Sequence, residues 1–220
     1  MHNFIENCTG VILAGGENIR MPVLKAFIEV ENEKIIERNI KILKKLFKEI
    51  FIVTNQPEYY LYLGIPLFGD VYDVRGPMTG IFTALLTSSN KWVFITACDM
   101  PFIKGELIKY MASKRDNYDA VVPKLENRVE PLFAFYSQRL ISPMEKSLLT
   151  GKTGIQDFLQ NKKVKYININ IEGAEVIKDR VALAKSFINL NTPGDIALYL
   201  KAEDSLKFKK NLARRKRCLV

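Results

Sequence analysis

Three short runs of apolar or small residues mark the first half of the chain: Gly10-Val11-Ile12-Leu13-Ala14, Ile50-Phe51-Ile52-Val53-Thr54 and Trp92-Val93-Phe94-Ile95-Thr96-Ala97. Runs this short with no polar alternation predict strands buried on both faces. Between the first two, Ile36, Ile40, Leu43 and Phe47 recur at helical spacing among lysines and glutamates, which predicts an amphipathic helix within residues 33–48. A second helix is expected after Pro77, over residues 79–86, and a third over 104–112. Further strands are expected at 119–123, 131–136, 164–170 and 187–190, with helices near 137–149 and 153–159. Thr192-Pro193 then opens a last helix from Gly194 into the C-terminal segment.

Apolar strands alternating with amphipathic helices imply an α/β fold, a mostly parallel sheet with helices on both faces. No internal repeat, low-complexity tract or Gly/Ser-rich linker divides the chain. The expectation is one domain over residues 1–200 and a basic C-terminal tail over 201–220.

Composition narrows the chemistry. The chain has 220 residues, 48% of them hydrophobic and 26% charged, an ordinary globular balance. It carries 33 Lys and Arg against 24 Asp and Glu, a net charge of +9, of which the last twenty residues contribute +6. That tail could meet nucleic acid, an anionic membrane surface or an acidic protein. A solvated terminus is the simpler reading, and no nucleic-acid partner is expected. No stretch is long and apolar enough for a membrane span, and residues 1–7 lack the basic and apolar regions of a signal peptide, so a cytoplasmic protein is expected. Three cysteines, Cys8, Cys98 and Cys218, and a single histidine, His2, leave no His/Cys metal site and no Ser-His or Cys-His nucleophile. Any metal would be a hard cation such as Mg²⁺, held by carboxylates and substrate.

The loops that follow the strands carry the candidate chemistry, because ligands of open α/β sheets bind outside the strands' carboxyl ends. Gly15-Gly16 lets the backbone approach a ligand and present N–H groups to phosphate oxygens, and Arg20 and Lys25 add two cations in the same loop. The spacing fits neither the Walker A nor the dinucleotide-binding glycine pattern. Asp99, directly after the third run, is placed to hold Mg²⁺ against a triphosphate. Asn55, Asp70 and Gly76-Pro77-Met78-Thr79-Gly80 follow other strands. Singly, each reads more simply as a cap, a turn or a loop carboxylate. Together, polar groups suited to phosphate and metal at one sheet edge favour a nucleotide site.

In order along the chain, Leu13-Ala14-Gly15-Gly16 with Arg20-Met21 and Lys25, then Val53-Thr54-Asn55, then Asp70 with residues 76–80, then Cys98-Asp99-Met100-Pro101-Phe102, Glu130-Pro131-Leu132-Phe133-Ala134 and Asn189-Leu190-Asn191-Thr192-Pro193 resemble the signature of the molybdenum cofactor guanylyltransferases, a nucleotidyltransferase family. The resemblance spans residues 9–200. It implies a single Rossmann-like domain that takes GTP with Mg²⁺ and transfers GMP to the phosphate of molybdenum-molybdopterin, releasing pyrophosphate. It further implies nucleotide contacts from Leu13, Ala14, Gly15, Lys25, Asn55, Asp70 and Asp99, catalytic roles for Arg20, Lys25 and Asp99, and the metal on Asp99. Gly16, Gly80, Asn189 and Asn191 match positions on the molybdopterin side. Molybdenum-cofactor insertion proteins or acceptor molybdoenzymes would be the partners downstream.

The chain departs from the family at three points in its first loop. Pro22 stands where Gly usually follows Arg-Met, Leu24 replaces the Asp or Asn before the lysine, and Asn18 replaces a small residue. Proline removes a backbone donor and fixes φ, so the loop could be ordered differently or suit another phosphate-bearing acceptor. Two alternatives stay open: another nucleotidyltransferase, using CTP or a sugar phosphate, and a non-catalytic protein that binds nucleotide or cofactor. Gly15-Gly16, where cytidylyl and sugar-phosphate relatives typically have Ala-Gly, tilts toward guanine.

Overall fold

A computed structural model of the chain describes residues 4–15, 25–30 and 32–178 together with Leu183, Ser186 and Phe187. The three apolar runs form β1 (Cys8–Leu13), β4 (Glu49–Val53) and β6 (Trp92–Ala97). Two short strands, β2 (Glu29–Val30) and β3 (Glu33–Lys34), pair in a separate hairpin, and β5 is Leu67–Phe68. Then come β7 (Ala120–Leu125), β8 (Arg128–Val129), β9 (Phe133–Ser137) and β10 (Val164–Asn168). The helices are α1 (Ile35–Leu46), α2 (Pro77–Thr87), α3 (Gly105–Ala112), α4 (Ile141–Leu149) and α5 (Ile155–Gln160). The expected strand at 187–190 and the helix from Gly194 lie outside the described residues, apart from Phe187.

The main sheet runs β10-β7-β9-β6-β1-β4-β5, with β8 paired to β7. β1, β4, β5 and β6 are mutually parallel, and β7 and β10 run the same way. β9 lies antiparallel between β6 and β7. The mostly parallel expectation therefore holds with one reversed central strand.

Alternate residues of each strand enter opposite cores, as the pleat requires. Ile12, Ile52, Phe94, Phe133 and Phe135 meet Ile36, Ile40 and Leu43 of α1 and Leu107, Ile108 and Met111 of α3. Val11, Val53, Ile95, Ala134 and Tyr136 meet Met78, Ile81, Phe82 and Leu85 of α2 and Met144 and Leu148 of α4. Helices thus cover both faces, and this double burial is why the strands carry no polar alternation. On the first face the Phe47 and Phe94 rings stack at 5.7 Å. Gly10 makes room for that stack, since a Cβ there would come within 2.6 Å of the Phe47 ring.

Candidate active site

Strand register sets the height of the functional groups at the carboxyl edge. The ladders pair Leu13 with Val53 and with Ala97, Val53 with Phe68, and Thr96 with Phe133. Carried past the ladders, the same register places Asp70, Asn55, Gly15 and Asp99 in one row across four neighbouring strands. The reversed strand begins at this edge, and the turn into it brings Glu130 there: the Glu130 N–H donates to Pro123 O at 3.1 Å and its carbonyl accepts from the Phe133 N–H at 3.2 Å.

Hydrogen bonds fix the row. The Ala14 N–H donates to Val53 O at 2.9 Å and the Cys98 N–H to Leu13 O at 3.0 Å, pinning the start of the glycine loop from both sides. The Thr54 hydroxyl donates to Ala14 O at 3.0 Å and accepts from the Gln56 N–H at 3.1 Å. Asn55 and Asp70 close a two-bond clasp: Asn55 Nδ2 donates to Asp70 Oδ2 at 2.9 Å, and the Asp70 N–H donates to Asn55 Oδ1 at 2.8 Å. Asp70 Oδ1 is buried with no hydrogen bond of good geometry. Burial raises the Asp70 pKa above the ordinary carboxylate range, against the opposing effects of Asn55 and the nearby Thr83 hydroxyl.

At the centre, Lys25 Nζ lies 3.5 Å from Asp99 Oδ2. Burial raises the Asp99 pKa and the Lys25 charge opposes the rise. On the far side Glu130 is 8% exposed. It accepts long hydrogen bonds from the Leu132 N–H at 3.4 Å and from Arg128 Nη2 at 3.5 Å. Its pKa is raised, chiefly by burial, and the Asp99 charge adds to the rise. Sequence reasoning gave Glu130 no role; the available signal was an acid directly before the proline that opens an apolar strand.

The other expected residues fall as follows. Leu13 and Ala14 are buried, and Gly15 is exposed with open space where a Cβ would stand. A Cβ on Gly80 would lie 3.3 Å from Leu13 and 3.7 Å from Asp70 Oδ1, so α2 approaches the nucleotide half of the row through this glycine. Gly76, with φ at +136°, turns the chain into α2, a backbone conformation that side chains rarely adopt. Cys98 is half-buried, its thiol pushed up to about 12 by burial, in keeping with a small strand-end residue. Gly16, Arg20, Asn189 and Asn191, with Asn18, Pro22 and Leu24, lie outside the described residues.

Among the described residues no group of three or more His, Cys, Asp or Glu side chains could hold a metal alone. One carboxylate beside a glycine loop and a lysine suits a hard cation whose other ligands are water and phosphate oxygens, and Asp99 meets that description.

A mostly parallel sheet whose carboxyl edge lines up a glycine loop, a lysine, a strand-end aspartate and an Asn–Asp clasp belongs to a nucleotidyltransferase. More narrowly, the chain is a member of the family described as the MobA-like NTP transferase domain, whose sequence profile matches residues 10–166. It is 35% identical over 205 residues to the molybdenum cofactor guanylyltransferase of Desulfosudis oleivorans, covering 92% of this chain and 98% of that one. It is 34% identical over 197 residues to a protein of Carboxydothermus hydrogenoformans named a probable molybdenum cofactor guanylyltransferase, covering 90% of this chain and 97% of the relative. Among solved structures it is similar in fold to the molybdopterin-guanine dinucleotide biosynthesis protein A of Archaeoglobus fulgidus, with a TM-score of 0.75, 23% identity, and 90% and 99% of the two chains covered. A Mycobacterium tuberculosis protein solved as a manganese complex shares the fold at a TM-score of 0.57 and 13% identity, over 73% of this chain and 87% of that one. Among the described residues no helix is long and apolar enough to cross a membrane.

Proposed function

We propose that this enzyme transfers the guanylyl group of GTP to the terminal phosphate of molybdenum-molybdopterin, with pyrophosphate as the second product. The observation that carries the reading is the row itself: a clasp of polar groups at one end, a glycine loop with Lys25 and Asp99 at the centre, and an unassigned half beyond. The names of its relatives support guanine and molybdopterin as the two substrates.

In this reading Asn55 and Asp70 hold the guanosine part, Leu13, Ala14 and Gly15 line the nucleotide site, and N–H groups of the Gly15-Gly16 loop receive the phosphates. Lys25 neutralises charge on the leaving pyrophosphate, with Arg20 from the same loop. Asp99 would hold a divalent cation, Mg²⁺ by preference. Bound there, the cation would spread the charge that builds at the α-phosphorus. The attacking group is a phosphate oxygen, ionised at neutral pH, so no general base is required. Rate then depends on holding it in line with the departing oxygen. Gly16, Gly80, Asn189 and Asn191 are assigned to the acceptor's side by family resemblance alone. Free thiols at Cys8 and Cys98 support a cytoplasmic setting. Insertion proteins or molybdoenzymes that receive the product complete the proposal.

The test is pyrophosphate release from GTP, Mg²⁺ and molybdenum-loaded molybdopterin, with CTP and UTP run beside it. GTP-dependent turnover that Asp99→Asn and Lys25→Ala each lower by about a hundredfold or more is the expected result. GTP binding with no turnover on any nucleotide would replace this reading with that of a binding protein.

A further inference from the structure

One pocket on the same edge has no role in the reading above. Pro123, Leu125, Arg128, Glu130 and Phe187 line a cavity of about 30 Å³, formed where the β7–β8 hairpin and the start of β9 meet Phe187. Phe187 is set edge-on against Phe133, their centroids 5.6 Å apart. The cavity has room for a water-sized group such as an amino group. Its lining combines the Glu130 carboxylate, a side chain 11% exposed, and Arg128 with the apolar Pro123, Leu125 and Phe187.

A buried carboxylate needs compensation, and Glu130 has little. It receives two long hydrogen bonds, from Leu132 N–H at 3.4 Å and Arg128 Nη2 at 3.5 Å. The Arg128 side chain is 71% exposed, which weakens it further as a counter-charge. Two carboxylate oxygens have about four acceptor positions, so Glu130 keeps unused capacity in an apolar surround. The group that suits such a site is flat, apolar on its faces, and offers two adjacent N–H donors on one edge. The 2-amino-4-oxopyrimidine ring is such a group, with its ring N–H and amino group side by side. A carboxylate accepts both at once.

Guanine and pterin share that edge, and the row separates them. The Asn55–Asp70 clasp joins the ends of β4 and β5, whereas Glu130 stands between β8 and β9, beyond the loop of β1 and Asp99 after β6. At about 4.8 Å per strand the two ends are about 19 Å apart. Resting on the guanylyl-transfer reading, which places guanosine at the clasp, we infer that Glu130 is a specificity-determining residue for the acceptor. It receives the ring N–H and 2-amino group of the acceptor's pterin, between Phe187, Pro123 and Leu125, and Arg128 steadies its outer oxygen.

The experiment uses the full chain, a 6-hydroxymethylpterin phosphate probe followed by its fluorescence, and the corresponding lumazine, in which oxygen replaces the 2-amino group. GTP binding is measured in parallel by thermal shift, which also reports that each variant folds. The wild type is expected to prefer pterin over lumazine by about tenfold or more. Glu130→Gln is expected to weaken the pterin by a similar factor and erase the preference, with GTP binding unchanged. Pterin binding and preference retained in Glu130→Gln would overturn the pocket assignment alone, leaving guanylyl transfer standing. Weakened GTP with unchanged pterin would also overturn it, by making the pocket a reader of guanine. A wild type that binds GTP but no pterin would remove the acceptor reading and this inference with it.

Discussion

Asn55 and Asp70 bind each other twice, side chain to side chain at 2.9 Å and side chain to backbone at 2.8 Å, and so tie the end of β4 to the end of β5. Both oxygens of the clasp's carboxylate are thereby positioned, one by Asn55 and the other by burial beside Gly80. Replacing Asn55 with Ala removes both bonds while leaving the strands paired. The expected result is a rise of about tenfold in KM for GTP with a smaller change in kcat, read from steady-state kinetics. Asn55→Asp sets a like charge against Asp70 and is expected to be the more damaging substitution.

Lys25 and Asp99 face each other at 3.5 Å, and each is assigned to charge that develops during transfer. Removing either is expected to lower kcat by about a hundredfold or more. The two should differ in metal response: excess Mn²⁺ or Mg²⁺ is expected to restore part of the Asp99→Asn loss and none of the Lys25→Ala loss.

The raised pKa of Asp99 makes a prediction about stability with the opposite sign. Its folded-state value exceeds the unfolded one, so its favourable contribution is present below the ordinary Asp value near 3.9 and is lost as pH rises through the folded value. In the metal-free protein Asp99→Asn is therefore expected to raise Tm at pH 7. The gain should shrink as pH falls through the raised pKa and vanish in acid. Melting curves of both proteins across that range check it; an unchanged or lower Tm at neutral pH would contradict the assignment.

Gly10 offers a packing test remote from the chemistry. A methyl group there would meet Phe47 Cδ2 at 2.6 Å, and Phe47 is fully packed against Phe94. Gly10→Ala is expected to cost about 1–3 kcal/mol by overpacking, measured by denaturant unfolding. Adding Phe47→Leu should return part of it.

The basic segment beyond residue 200 is expected to be dispensable. Removing residues 201–220 should leave turnover and Tm unchanged, and a loss of either would assign the segment a role.

Much of this was legible in the residues. The strands at 8–13, 49–53 and 92–97 announce themselves because burial on both faces makes their central residues apolar or small. The row members that follow them, Gly15, Asn55 and Asp99, are readable because each directly follows such a run. The direction of β9 was not, since Phe133-Ala134-Phe135-Tyr136 is apolar on both faces and periodicity carries no sense of direction. β2, β3, β5 and β8 have two residues each, too few for any pattern to register. Glu130 escaped for the same reason as β9: its place at the active edge follows only once that strand is known to run backwards.

The common height of Asp70, Asn55, Gly15 and Asp99 also constrains how the gene can change. Each is delivered by counting residues from a ladder, so inserting one codon between a strand and its row member would advance the chain by about 3.3 Å and turn the next side chain to the opposite face. Length variation should therefore be excluded from these four short junctions, whereas the opposite edge of the sheet, where Ser88, Asn90 and Glu49 gather around Thr9, sets no such count for the reaction.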